Sequence, residues 1–377
     1  MSTETYKVKA WGTSKSSSKL GYTTIPRRVV QRNDVKINIE FCGVCHSDYD
    51  AATNEWKKTN YDDGGCVPGR EIIGVVSEVG EDVTKFKVGE TVGVGALVDS
   101  CRKCSACESR LENYCSHPEG PTEVYNSADK FVGGHTFGGF SSVIVVDQDF
   151  VVHLPPKLDK TRAAPLMCAG IAAYSPLRFY KVGKGTKVGV VGLGGLGHLA
   201  VKFAVAMGAD VTIITTSKHK IADATGLGAT STILSSDAEQ IKASAGTLDL
   251  VIDTVSESTD IDSLLSLLGL DGALCLLGTP AKPVQFYAFS LILGRKRVSG
   301  SLTGGTQEMQ EMLDFCVEHN ILPDVEHITV NELEKSFKRM LKGDVKYRFV
   351  IDVSSITKYN SAGSSESVSK GCGCRGR

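Results

Sequence analysis

The chain has 377 residues, and 42 Lys+Arg against 43 Asp+Glu leave a formal net charge of −1. Hydrophobic residues make up 41% and charged residues 23%, which excludes disordered and fibrous classes and leaves chain enough for two cores. The charge balance offers nothing to nucleic acid or an anionic membrane, and no apolar run reaches the roughly 20 residues of a membrane span. MSTETYKVKAW has no apolar stretch of the secretory kind, so a cytoplasmic protein is expected.

Residues 1–160 read as a β-rich first domain. Val35–Phe41 alternates apolar and polar side chains, the pattern of a half-buried strand, and glycine turns at 64–65, 133–134 and 138–139 punctuate the region. The pattern changes near 160. Residues 186–191 predict a short apolar strand, glycines follow, and 196–207 has helical character. Further strands are expected at 211–214, 249–252 and 273–277, with helix-length segments between them. Residues 161–299 are therefore expected to form an α/β domain, a parallel sheet wound on both faces. Residues 300–353, with an amphipathic helix at 307–319 and a closing strand at 348–353, are expected to return to the first domain. The Ser-, Gly- and Lys-rich tail, 354–377, is expected to be disordered.

Gly192-Leu193-Gly194-Gly195-Leu196-Gly197 matches G-x-G-x-x-G between an expected strand and helix, the context that makes the match a dinucleotide site rather than a plain glycine turn. The glycines make the tight turn, admit the pyrophosphate and allow close helix packing, and the helix N-terminus faces the diphosphate. About 20 residues on, an NAD site carries Asp or Glu for the ribose 2′-hydroxyl. This chain reads Ile214-Thr215-Thr216-Ser217-Lys218-His219-Lys220 there, with no carboxylate. Hydroxyls and lysines suit a 2′-phosphate, so NADP(H) is expected over NAD(H).

The 12 cysteines, in a chain without a secretory signal, point away from disulfides. Cys101, Cys104, Cys107 and Cys115 are spaced to close four thiolates around a structural zinc. An iron–sulfur cluster is the runner-up, and zinc is preferred because the nicotinamide already supplies the redox chemistry.

Further motifs fall in order along the chain: Cys42-Gly43-Val44-Cys45-His46-Ser47-Asp48, Val67-Pro68-Gly69-Arg70-Glu71, the four-cysteine segment, Ala164-Pro165-Leu166-Met167-Cys168-Ala169-Gly170, and the glycine turn. Together they resemble the zinc-containing medium-chain alcohol dehydrogenases, in their cinnamyl alcohol dehydrogenase-like branch, from about residue 5 to 353. The resemblance implies a GroES-like catalytic domain, a Rossmann cofactor domain, a cleft between them and a homodimer. It implies Cys45 and Cys168 as thiolate ligands of a catalytic zinc and Glu71 as an acidic neighbour able to bind it. Ser47 would start the proton relay, and His46 would lie near the cofactor diphosphate. Thr215, Thr216, Ser217 and Lys220 would contact the 2′-phosphate. The expected reaction is the reversible reduction of an aldehyde to a primary alcohol by NADPH.

Two positions depart from the family's pattern. Arg70 stands where the pattern Gly-His-Glu places the third zinc ligand, and a guanidinium cannot ligate zinc. Asp50 stands where a relay histidine is frequent, and is a candidate for that step. Three readings of Arg70 are open: Glu71 replaces the missing ligand, Arg70 itself occupies a metal-free pocket, or it points away. His135 is a candidate substitute ligand, and Trp56 a candidate pocket wall. Without catalytic zinc, reduction of activated alkenes or iminium groups is the alternative function. A cofactor-binding regulator is the non-enzymatic one.

Overall fold

The long strand Asp34–Val44 organises one half of the protein. Its inward residues Val35, Ile37 and Ile39 are buried, as the alternation predicts. In this computed structural model, which describes residues 4–359 except 63, 119, 258 and 281, the strand pairs antiparallel with Ile72–Val79 along one side. Along its other side it pairs with Val143–Asp147 and Arg348–Asp352. Thr91–Val94, Val152–His153 and Val325–Ile328 complete a seven-stranded sheet.

The other half is a six-stranded, wholly parallel sheet. Its spatial order is Ser231–Leu234, Asp210–Thr215, Lys187–Val191, Leu248–Asp253, Leu268–Leu276, Arg297–Gly300. The strand order reverses between Lys187–Val191 and Leu248–Asp253, where a doubly wound sheet opens a ligand crevice beyond its carboxyl ends. The four strands and the helix (Gly197–Ala206) expected here are present, and the short apolar runs are buried on both faces.

The chain beyond the parallel sheet rejoins the first one: Arg348–Asp352 lies against Asp34–Val44, a placement that brings Arg348 to the metal-ligand candidates. The expectation of a disordered tail from Ser354 fails at its start. Ser354–Thr357 form a helical turn, Ile356 is fully buried, and the Tyr359 ring packs 5.2 Å from Trp11 and 5.6 Å from Tyr22. Two side chains, Ile356 and Tyr359, suffice to dock a segment whose composition is otherwise that of a solvated tail. The remainder of that expected tail, 360–377, lies outside the described residues. No helix among the described residues is long and apolar enough to cross a membrane.

Candidate active site and cofactor cleft

Cys45 ends the long strand's loop and begins the helix His46–Thr53. The buried Asp48 holds that loop: its carboxylate accepts from the Cys45 backbone N–H at 2.7 Å and the Gly69 N–H at 3.0 Å. Burial raises Asp48 to about 7, against these two donors. Gly69 has φ 104°, and a Cβ there would meet the Phe140 backbone N at 2.7 Å, so only glycine makes this turn. The turn presents Arg70 and Glu71 to Cys45. Cys168 arrives from the far side, at the start of helix Ala169–Phe179.

The sequence-predicted ligands Cys45, Glu71 and Cys168 are thus brought together, each offering one ligand atom within 4.8 Å of the others, and all three are buried. Arg348 pairs with Glu71 Oε1, while Glu71 Oε2 is buried without a partner. Two sulfurs and a carboxylate gathered in one buried place, with one carboxylate oxygen unpartnered, are a donor set a zinc ion takes. Burial pushes the Glu71 carboxyl up, opposed by Arg348. Hydrogen bonding with Cys168, and the charges of Arg70 and Arg348, hold Cys45 well below the ordinary thiol value despite burial; Cys168 is raised.

Arg70 does not point away. Its Nη2 donates to Cys45 Sγ at 3.5 Å, and its Nε is buried without a partner. Asp50 lies at the outer edge, its Oδ1 3.8 Å from His46 Nε2, and burial raises it. Ser47 is buried and accepts a hydrogen bond from Tyr125 Oη at 3.2 Å. Tyr125 and Arg348 had no place in the sequence reading. His135 is not at this site: it is buried against Phe137, 4.7 Å between ring centroids, with Nε2 2.9 Å from the Gly65 carbonyl. Trp56 is 44% exposed and lines none of the described cavities.

The four-cysteine segment closes on itself. Cys101–Cys107, Cys104–Cys107 and Cys104–Cys115 sulfurs are 3.8, 3.5 and 3.9 Å apart. Sulfurs about 2.3 Å from a tetrahedral zinc sit about 3.8 Å from one another, so the set fits that ion. Backbone N–H groups of Cys107 and Ser116 lower Cys104 to about 5, which readies it as a thiolate.

The crevice at the strand reversal is a cavity of about 310 Å³ lined by Gly194, Gly195, Leu196, His46, Lys220 and Arg348 among others. Gly192 has φ 84°, and a Cβ on Gly194 would enter open space, so backbone faces an unobstructed cradle for a diphosphate. A Cβ on Gly197 would collide with the Gly192 carbonyl, the close packing its position in the motif requires. At the strand end, Thr215 is buried and its Oγ1 accepts from the Ser217 N–H at 3.1 Å, leaving only its proton to donate. Thr216 is exposed, and Ser217 and Lys220 are half-buried.

The profile described as Alcohol dehydrogenase GroES-like domain matches residues 31–156, and the one described as Zinc-binding dehydrogenase matches 195–318. The chain is 48% identical to the NADP-dependent alcohol dehydrogenase C 1 of Mycolicibacterium smegmatis over 349 residues, 93% of this chain and 99% of that one. The chain belongs to the zinc-containing medium-chain alcohol dehydrogenases. Among solved structures of the family, a cinnamyl alcohol dehydrogenase of Sorghum bicolor superposes with TM-score 0.89 at 45% identity, covering 93% of this chain and 98% of that one. A CAD from Helicobacter pylori complexed with NADP(H) gives 0.86 at 38% identity, covering 93% and 99%. Membership in this family names the two sheets: the seven-stranded one is GroES-like, and the parallel one is Rossmann-like.

Proposed function

We propose that this protein is an NADP-dependent oxidoreductase that reversibly reduces aldehydes to primary alcohols at Cys45, Glu71 and Cys168. The observation that carries this reading is the buried gathering of Cys45, Glu71 and Cys168, in which Glu71, the residue after Arg70, offers the third ligand atom and keeps one oxygen unpartnered. When bound at these sites, zinc supplies a Lewis acid for the carbonyl oxygen and NADPH supplies the hydride.

The chain's own residues do the rest. Arg348 holds Oε1 of Glu71 and so fixes the carboxylate in place beside the two sulfurs. Asp48 holds the Cys45 loop against the Gly69 turn, so two ligand positions move as one unit. Tyr125 donates to Ser47 Oγ, so the Ser47 proton points to its other side, where it meets Cys45 and, with substrate bound, the oxygen of the substrate. Burial keeps the Tyr125 phenol protonated, its value well above ordinary tyrosine. His46 and Asp50, at the outer edge, give that proton route an exit.

Elemental mass spectrometry on purified protein should find about two zinc ions per chain. About one would leave only the four-cysteine segment filled and overturn the Cys45, Glu71, Cys168 site. Lys220 borders the diphosphate cavity at the end of a strand that carries no acid, so Lys220→Ala should lower kcat/KM for NADPH roughly tenfold and change the NADH value little. Equal wild-type efficiency with both cofactors would contradict the NADP assignment.

Homodimerisation completes the reading. Arg297–Gly300 is an unpaired edge of the parallel sheet, and the turn and helix before it expose Tyr287 (78%), Phe289 (69%) and Leu293 (82%). Residues 290–301, which span this patch and edge, are part helix, part strand. An open edge beside an apolar patch fits a second copy. Light scattering should give twice the 40.2 kDa of one chain, and a monomer at micromolar concentration would exclude it. The cytoplasm, where thiols stay reduced and metal-ready, is the compartment this site suits.

A further inference from the structure

The unusual residue in the site is also the least satisfied one. Arg70 carries five N–H donors in a planar fork. Among the described residues its hydrogen bonds come to one, Nη2 to Cys45 Sγ at 3.5 Å, and its Nε is buried with no partner at all. The nearby acids are committed elsewhere: Asp48 to the Cys45 and Gly69 N–H groups, Glu71 Oε1 to Arg348. A half-buried guanidinium with an enclosed, unpartnered Nε costs free energy that an acceptor from outside the chain would in part recover. The demand is stronger with a cation on Cys45 and Cys168, because the sulfurs' negative charge is then shared with the metal. Arg70 is half-buried, and its Nη1 is neither bonded nor enclosed, so an incoming ligand meets the fork at the Nη1 end.

We propose that Arg70 makes this site select aldehydes that also carry a carboxylate, the guanidinium fork gripping the carboxylate while the carbonyl faces the metal. This rests on the alcohol dehydrogenase reading above and names its substrate class. A carboxylate matches a guanidinium with two parallel charge-assisted hydrogen bonds, which no neutral group of the same size does. Because Arg70 touches a metal-ligand sulfur, the carboxylate must lie within about two or three carbons of the carbonyl. Short oxo-acids satisfy this, and long aromatic aldehydes do not use the fork at all. Ser47, two residues beyond Cys45, carries the Tyr125 hydrogen bond beside the same sulfur that Arg70 touches. One wall then reads the carboxylate and the adjoining one handles the carbonyl proton.

The test is calorimetric and does not require turnover. Butyrate and butyramide are matched in shape and differ in charge. On the zinc-loaded protein saturated with NADPH, butyrate should bind on the order of tenfold to a hundredfold tighter than butyramide. Arg70→His should bring the ratio close to one, and Arg70→Lys should keep part of it, since the charge survives without the fork. Equal affinities in the wild type overturn the proposal, as does a preference for butyrate that survives Arg70→His. Zinc itself also takes carboxylates, so a wild-type preference supports the proposal only where it falls in Arg70→Lys or Arg70→Gln, either of which serves if the other variant does not fold. Kinetics give the second reading: kcat/KM for glyoxylate should exceed that for glycolaldehyde in the wild type, and the order should vanish in Arg70→His. The underlying function fails separately, as an absence of propanal reduction by wild-type protein carrying two zinc ions.

Discussion

Cys45→Ala should lose roughly a thousandfold or more in turnover while still binding NADPH. Removing one thiolate from a three-residue ligand set leaves Cys168 and Glu71, too few to close around zinc, and the Lewis acid contribution of several kcal/mol goes with the metal. The cofactor cradle should survive, because it is built from Gly192 to Gly197 on the other sheet. Its link to the metal-ligand loop runs through His46 and Arg348, neither of which is altered. NADPH fluorescence titration and steady-state reduction of an aldehyde separate the two properties. The variant should also show about one zinc per chain, held by the four cysteines. Full activity in Cys45→Ala would remove the metal from the mechanism, and lost NADPH binding would mean that the substitution damages the fold rather than the site.

The features legible in the sequence are those written over short distances. Alternation over Val35–Phe41 predicts a strand because each side chain's face is set by its immediate neighbours. The glycine turn is legible because only glycine allows φ 84° at Gly192 and leaves the space beside Gly194 open. Cys101 to Cys115 announce their site because four ligands lie within one loop. Cys45, Glu71 and Cys168 are far apart in the chain, and they were placed together by resemblance rather than by spacing. Arg348 and Tyr125 were not legible at all. Arg348 reaches Glu71 across 277 positions and Tyr125 reaches Ser47 across 78, and no local periodicity marks either residue. The tail misled for a related reason. Composition counts polar residues, while Ile356 and Tyr359 dock by contacts with the first strands.

Arg348→Met should cost about 3–5 kcal/mol of stability, the largest effect expected from a single substitution outside the zinc ligands. Arg348 is 6% exposed and Glu71 fully buried, so methionine would leave a carboxylate enclosed without its counter-charge. The pair itself lies within the seven-stranded half, but Arg348 also reaches the other one. A Cβ on Gly195 would meet Arg348 Cδ at 2.7 Å, which shows how closely the arginine passes the cofactor turn on its way to the metal-ligand candidates. Urea unfolding measures the loss. The companion variant Arg348→Met with Glu71→Gln should recover part of it, because the neutral amide no longer needs the cation, while zinc at Cys45 and Cys168 should still be lost. A single Arg348→Met variant within about 1 kcal/mol of the wild type would mean that Glu71 is held neutral without Arg348. That outcome would weaken the case for its free oxygen as a metal ligand, since a protonated carboxyl offers zinc no charge. Stability and metal content therefore test the same carboxylate from opposite sides: on the proposed reading, Arg348 compensates its charge so that Glu71 can take the place of the missing histidine.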